Sequence, residues 1–266
     1  MASPLRRVAL ITGASGGIGA DLARVFARAG HDLALVARDL ARLDALANEI
    51  AAAGRPRPLA IGLDLTAASA TQQLLEGLRA AGATTEFLVN NAGFGLLGDA
   101  MALDPGAQLG MVDLNIRALL DLTLALLPEL ERNRGKILNV ASVAAFLPGP
   151  GFAVYYASKA FVLSWSEALA QELSPRGIGV TVLCPGATAT GFQARAGFDS
   201  GSALALLSSA SAMAVAEAGF AGLMAGRRVV VPGWTNKIFV LLAKLTPHAL
   251  TLPIMAAMQK KRAKSA

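Results

Sequence analysis

Apolar positions follow two periods along most of the chain. Val8–Thr12, Asp32–Ala37, Pro58–Leu63, Glu86–Val89, Lys136–Ala141, Gly179–Leu183 and Arg228–Val231 are short, nearly continuous apolar runs rich in Val, Leu and Ile. Such runs read as strands buried on both faces. Between them, Gly17–Ala29, Leu40–Ala53, Ala67–Ala81, Pro105–Glu131, Ala153–Leu173 and Val215–Ala225 carry the 3.6-residue spacing of amphipathic helices. The alternation predicts right-handed βαβ units, and so a single doubly wound α/β domain with a central parallel sheet and helices on both faces. After Pro185 the pattern loosens into a Gly/Ser/Ala-rich stretch up to about Ser211. Residues 1–233 are expected to form the main domain, with a lid over about 187–212. Residues 234–266 read as an apolar helical extension with a basic tail.

Composition agrees with one large buried core. The 266 residues are 54% hydrophobic and only 16% charged, which leaves ample apolar surface for a subunit contact as well. Cys184 is the only cysteine, so no intrachain disulfide can form, and His31 and His248 alone exclude a multi-histidine metal site. A reducing, cytoplasmic setting is expected. A signal peptide is not expected ahead of the first strand, and no stretch has the length of a membrane span. The net charge of +6 is scattered apart from Lys260, Lys261, Arg262 and Lys264. No aromatic and basic platform accompanies it, so nucleic-acid binding is not expected.

The first strand runs into Thr12-Gly13-Ala14-Ser15-Gly16-Gly17-Ile18-Gly19 and then into a helix. Glycines at that junction let backbone approach a pyrophosphate, whose charge the helix N-terminus stabilises. At the end of the second strand, Ala37 stands where an acidic residue would bind ribose hydroxyls, and Arg38 follows it. An arginine there can pair with a 2′-phosphate, so NADPH is expected over NADH. Asp39 reads as the N-cap of the next helix. Asp64 ends the third strand, where it can accept a bond from an adenine amino group or serve as strand-end punctuation.

Tyr155 and Lys159 stand four residues apart in Tyr155-Tyr156-Ala157-Ser158-Lys159, which brings a phenol and an ammonium to one helix face. A neighbouring cation favours phenolate, so the phenol is expected to ionise closer to neutral pH than a free tyrosine. Ser142 follows a strand-like run upstream, and Asn115 lies earlier still.

In these residues the chain resembles the short-chain dehydrogenase/reductase family from Thr12 to about Pro232. The motifs are Thr12–Gly19, Asp64-Leu65, Asn90-Asn91-Ala92-Gly93, Asn115, Ser142, Tyr155 with Lys159, and Pro185-Gly186 followed by Thr190. The resemblance implies a Rossmann-like sheet, an NAD(P) cofactor and hydride transfer between nicotinamide and an alcohol or carbonyl carbon. By the same resemblance Tyr155 is the proton donor or acceptor, Lys159 lowers its pKa and holds the nicotinamide ribose, and Ser142 bonds the reacting oxygen. Asn115 positions a water that links Lys159 to solvent. Asn90, Ala92 and Gly93 line the cofactor cleft, and Pro185, Gly186, Thr188 and Thr190 clamp its carboxamide and phosphate end. Family members associate through their long helices, which here implies a homodimer or homotetramer.

Two other readings compete. Gly13-x-Ser15-x-Gly17 also spells a hydrolase elbow, but it follows the first strand, and only His248 lies downstream as a base. A catalytically idle NADP-binding protein would not need the Tyr155, Lys159, Ser142 and Asn115 set. Phe146, Leu147, Phe152, Phe192 and Phe198 suggest an apolar substrate pocket without an arginine clamp for a carboxylate. Carbonyl reduction of low-polarity ketones or aldehydes is therefore expected, with 3-oxoacyl thioester reduction or 3-hydroxy acid oxidation as alternatives. The apolar stretch from Trp234 to Met258 is expected to be a lid or subunit contact, or to touch a membrane surface together with the basic tail.

Overall fold

The computed structural model describes residues 5–192, 196 and 210–263. Seven parallel strands form the central sheet in the order β3-β2-β1-β4-β5-β6-β9. They are β1 (Arg6–Thr12), β2 (Asp32–Ala37), β3 (Leu59–Gly62), β4 (Ala83–Asn90), β5 (Lys136–Val140), β6 (Gly179–Leu183) and β9 (Val229–Val230). The expected Rossmann-like α/β fold is thus formed, with its strand order reversing between β1 and β4. Ligand clefts in such sheets open at that switch point, beyond the carboxyl ends of the strands.

Successive side chains of β1 point to opposite faces, as a period of two requires. Ala9 and Ile11 join a core with Leu22 and Phe26 of α1 (Gly17–Arg28) and Leu43 of α2 (Leu40–Ala52); Val215 of α7 (Ala212–Met224) closes it. Val8 and Leu10 join the opposite core with Leu74 of α3 (Ala70–Ala80), Leu122 of α5 (Leu119–Asn133) and Leu169 of α6 (Ala153–Leu173). Asp39 caps α2 as expected, accepting from the Arg42 amide at 3.1 Å.

Three features depart from the apolar pattern. Strand β4 begins at Ala83 rather than Glu86, because the buried Thr84 and Thr85 extend it and hydrogen-bond Glu129 and Asn133 of α5. The long helix is α4 (Pro105–Val112) and α5 joined by a π-helical turn, Asp113–Ala118. Two-residue strands β7 (Thr188–Ala189) and β8 (Ala210–Ser211) pair in parallel beside the main sheet. Most of the expected lid, with Phe198, lies outside the described residues. After β9 the chain forms α8 (Trp234–Leu245) and α9 (His248–Ala263), which pack near the 3-10 turn Val143–Phe146. Among the described residues no helix is long and apolar enough to cross a membrane.

Candidate active site

The glycine turn is fixed by a neighbouring loop. Gly13 adopts φ +66°, a conformation that side chains oppose, and a Cβ there would lie 2.8 Å from Asn91 Nδ2. A Cβ on Gly19 would strike the Gly13 carbonyl. Asn91 Nδ2 donates to the Thr12 and Gly13 carbonyls at 3.0 and 3.2 Å, while Thr12 Oγ1 accepts from the Asn91 and Ala92 amides. The loop after β4 therefore holds the loop after β1 in shape. Helix α1 starts after Gly16 with no side-chain cap bond, which leaves its first N–H groups available. Gly16 itself is exposed, and Thr190 lies against Gly17. An uncapped helix start framed by backbone and by glycines fits a dinucleotide pyrophosphate.

At the far side of this turn, Arg38 is exposed and makes no ion pair among the described residues. Asp39, its neighbour in sequence, is occupied by Arg42, whose Nε lies 3.2 Å from Oδ2. Asp64 accepts from the amide and hydroxyl of Thr66 at 3.0 and 2.7 Å, which hold its carboxyl below the usual range, with Arg38 nearby adding to the effect. Leu65, Asn90 and Ala92 line a small cavity with Thr12.

The other end of the cleft is buried. Tyr155 and Lys159 are both buried on α6, and Lys159 Nζ sits 5.8 Å from the centre of the Tyr155 ring. Lys159 donates to the Val140 carbonyl at 2.9 Å. Ser142 lies near enough to the Tyr155 side chain to favour its phenolate. Its Oγ also lies 3.1 Å from the Ala144 amide, so it caps the following turn, and 3.4 Å from the Pro185 carbonyl.

The π turn lets Asn115 project into this region, a frequent use of such turns. Its Nδ2 donates to the Phe94 carbonyl and Ser158 Oγ, both at 3.0 Å, and its Oδ1 accepts from the Phe94 amide at 3.1 Å. Ser158 in turn donates to the Tyr155 carbonyl. Gly93 leaves room for the group: a Cβ there would lie 2.9 Å from Asn115 Oδ1 and 3.5 Å from Lys159 Nζ.

Burial overturns one expectation drawn from spacing. The Tyr155 phenol is pushed up to about 12, because removal from water disfavours phenolate more than Ser142 favours it. Burial likewise pulls Lys159 down to about 8. Tyr155 therefore keeps its proton through neutral pH, where the sequence suggested easier ionisation.

Asn90 has a further role beside lining the cavity. Its Nδ2 donates to Thr123 Oγ1 and Asn139 Oδ1, both at 2.9 Å, and Asn139 continues to Ser166. Its amide thus belongs to a buried polar chain between the sheet and helices α5 and α6. Thr188 Oγ1 donates to the Gly186 carbonyl, and Thr190 Oγ1 accepts from the Phe192 amide. Phe152 stacks on Tyr155 with centroids 4.5 Å apart, and Phe192 lies 5.4 Å from the same ring. Asn91, Ser158 and the Val140 carbonyl escaped the sequence reading as site-building groups. Asn91 stands inside a motif and Ser158 beside one, but only the fold reveals the third. The hydrolase reading loses its base, since His31 packs against Phe26 and Phe87 while His248 is exposed on α9.

Residues 7–200 match the family model for short chain dehydrogenases. A sulfoacetaldehyde reductase 2 of Chromohalobacter salexigens is 40% identical over 188 residues, covering 70% of this chain and 74% of that protein. A short-chain dehydrogenase from Sphingobium yanoikuyae, solved in complex with NADPH, is 38% identical with a TM-score of 0.78, covering 86% of this chain and 89% of the other. The bulky-bulky ketone specific alcohol dehydrogenase of Comamonas testosteroni is 31% identical with a TM-score of 0.75, covering 91% and 92%. Through this match along most of its length, the chain belongs to the short-chain dehydrogenase/reductase family of NAD(P)-dependent oxidoreductases that act on CH–OH groups.

Proposed function

We propose that the chain reduces low-polarity ketones or aldehydes with NADPH, Tyr155 donating the proton. The observation that carries this reading is a buried phenol one helical turn from the buried Lys159 and walled by Phe152 and Phe192. Reduction needs a protonated donor, and the alkoxide that forms is far more basic than a phenolate, so transfer from Tyr155 runs downhill.

A bound nicotinamide supplies the hydride. Ser142 steadies the carbonyl oxygen as negative charge grows on it. Lys159, anchored on the Val140 carbonyl, carries a positive charge below about pH 8 beside the developing phenolate and can hold ribose hydroxyls. Asn115 fixes the Phe94 backbone and Ser158 around that lysine, and a water between Asn115 and Lys159 would connect the site to solvent. Gly13, Ser15, Gly16, Gly17, Ile18 and Gly19 receive the pyrophosphate, with Thr188 and Thr190 closing over it. Arg38 takes the 2′-phosphate, a reading supported by its exposure, by its making no ion pair among the described residues and by the NADPH complex of the Sphingobium relative. Asp64 and Leu65 border the adenine.

The aromatic walls favour substrates without a carboxylate, and similarity to an alcohol dehydrogenase specific for bulky-bulky ketones points the same way. Exposed Leu109 and Leu124 on α4 and α5 support self-association through that face. Loss of NADPH absorbance against a panel of ketones, aldehydes, 3-oxoacyl thioesters and keto acids tests the reading. Bulky apolar ketones should give the highest kcat/KM. A preference for keto acids, or no turnover of any carbonyl despite cofactor binding, would overturn it.

A further inference from the structure

Exposed large apolar side chains are concentrated at one end of the described chain. Nine of them lie between Trp234 and Ile254 and six in all the rest, so this is a patch rather than the scatter normal for a soluble surface.

Helix α8 shows why. Asn236, Val240 and Ala243 form the stripe that faces the body of the protein. On the opposite stripe, at helical spacing, stand Trp234, Ile238, Leu241 and Leu245, with Trp234 and Leu245 73% and 72% exposed. Helix α9 adds Leu250 and Ile254, each 59% exposed.

Charge identifies what covers this face. From Gly233 to Ala266 the sequence carries Lys237, Lys244, Lys260, Lys261, Arg262 and Lys264, and no Asp or Glu occurs after Glu217. A two-fold contact would set this cationic segment against itself. Lys244 lies over the Phe146 ring, 5.2 Å from its centre; an anionic bilayer surface suits the remaining cations while its acyl boundary takes the apolar stripe, and the indole of Trp234 suits the headgroup level.

We propose that α8 and α9 dock the protein on an anionic lipid surface, lying in the plane of the headgroups without crossing. The docked pair would adjoin the active site. Met255 and Ala243 pack with Leu147 against Phe146 and Tyr156, and the Asn236 side chain abuts Gly186. Apolar carbonyl compounds concentrated in the bilayer would thus meet the enzyme at its point of attachment. That consequence rests on the proposed reduction chemistry; the docking itself does not.

Flotation of the full chain with vesicles tests it without any turnover. Phosphatidylcholine vesicles containing about one-third phosphatidylserine should carry the protein at least tenfold better than phosphatidylcholine alone, and the difference should shrink as salt screens it. The combined substitutions Trp234→Ser, Leu241→Ser and Leu245→Ser should lower partition at least tenfold, as should Lys260→Gln, Lys261→Gln, Arg262→Gln and Lys264→Gln together. Circular dichroism and size-exclusion light scattering accompany each variant. Wild-type protein that stays in solution at low salt, or variants that float as well as wild type, would overturn the proposal. So would an oligomer that the apolar substitutions dissolve in the absence of lipid, since a second copy would then be the occupant. The wild-type comparison and the tail variant decide the matter even if the apolar variant fails to fold.

Discussion

Two places along the carboxyl ends of the strands each hold a cation, Arg38 after β2 and Lys159 reaching from α6 to the end of β5, and exposure separates their behaviour. Beyond β2, Arg38 is exposed near Asp64, where a solvated phosphate can reach it. Beyond β5, Lys159 is 6% exposed, held on a backbone carbonyl, and pulled down to about 8. In the first place charge recognises; in the second, burial sets where protons reside. The difference teaches that helical spacing of Tyr155 and Lys159 brings the groups together without determining their ionisation, which follows from removal of solvent.

The largest expected effect lies at the buried end. Tyr155→Phe should lower kcat/KM by about 10³-fold while leaving NADPH binding, read by nucleotide fluorescence, nearly unchanged. Tyr156→Phe should keep most of the activity. The reverse ranking would move the acid to the second tyrosine.

Lys159→Met sharpens the comparison through stability. Because the folded value of Lys159 is depressed from 10.5 to about 8, the unfolded chain binds a proton in that window that the folded chain has released. Folding stability contributed by this residue therefore rises with pH between those values. Below about pH 8 the buried ammonium costs on the order of 3 kcal/mol. The variant should be the more stable protein relative to wild type at pH 7, and should lose that relative gain as pH approaches 10.5 in denaturant titrations. A pH-independent difference would contradict burial as the cause.

Arg38→Ala addresses the exposed end. Loss of one charge-assisted contact should raise the KM for NADPH roughly 10- to 100-fold and leave that for NADH almost unaltered. Equal losses with both nucleotides would show that Arg38 is a general scaffold. Asn91→Ala, which frees the Thr12 and Gly13 carbonyls, should cost about 1–2 kcal/mol in unfolding and loosen both nucleotides alike.

The fold was readable wherever strands are continuously apolar and helices amphipathic; α6 and β6 match their expected limits. Where polar groups are buried in pairs, the pattern fell silent. Thr84 and Thr85 disguised the start of β4, since their partners Glu129 and Asn133 lie more than 40 residues away. The π turn at Asn115 was hidden as well, because one added residue per turn barely alters the apolar spacing of a long helix. The glycine turn, Ser142, Tyr155 and Lys159 were legible as a set because ordered motifs define them. Asn90 was legible as a motif residue but not as part of a core network, which requires Asn139 and Ser166 from other elements. The apolar character of α8 was equally plain, whereas the outward direction of Trp234 and Leu245 needed the packing of Val240 and Ala243 to define the inner face.

The chain contains only two tyrosines, so Tyr156→Phe leaves Tyr155 as the sole phenol and makes its ionisation visible in the near-ultraviolet. Titration of that cofactor-free variant is the most direct test of a buried, proton-retaining site. Phenolate absorbance should stay flat through neutrality and past the ordinary tyrosine value of about 10. A phenolate signal growing between about pH 7 and 9, in protein still folded by circular dichroism, would contradict the account.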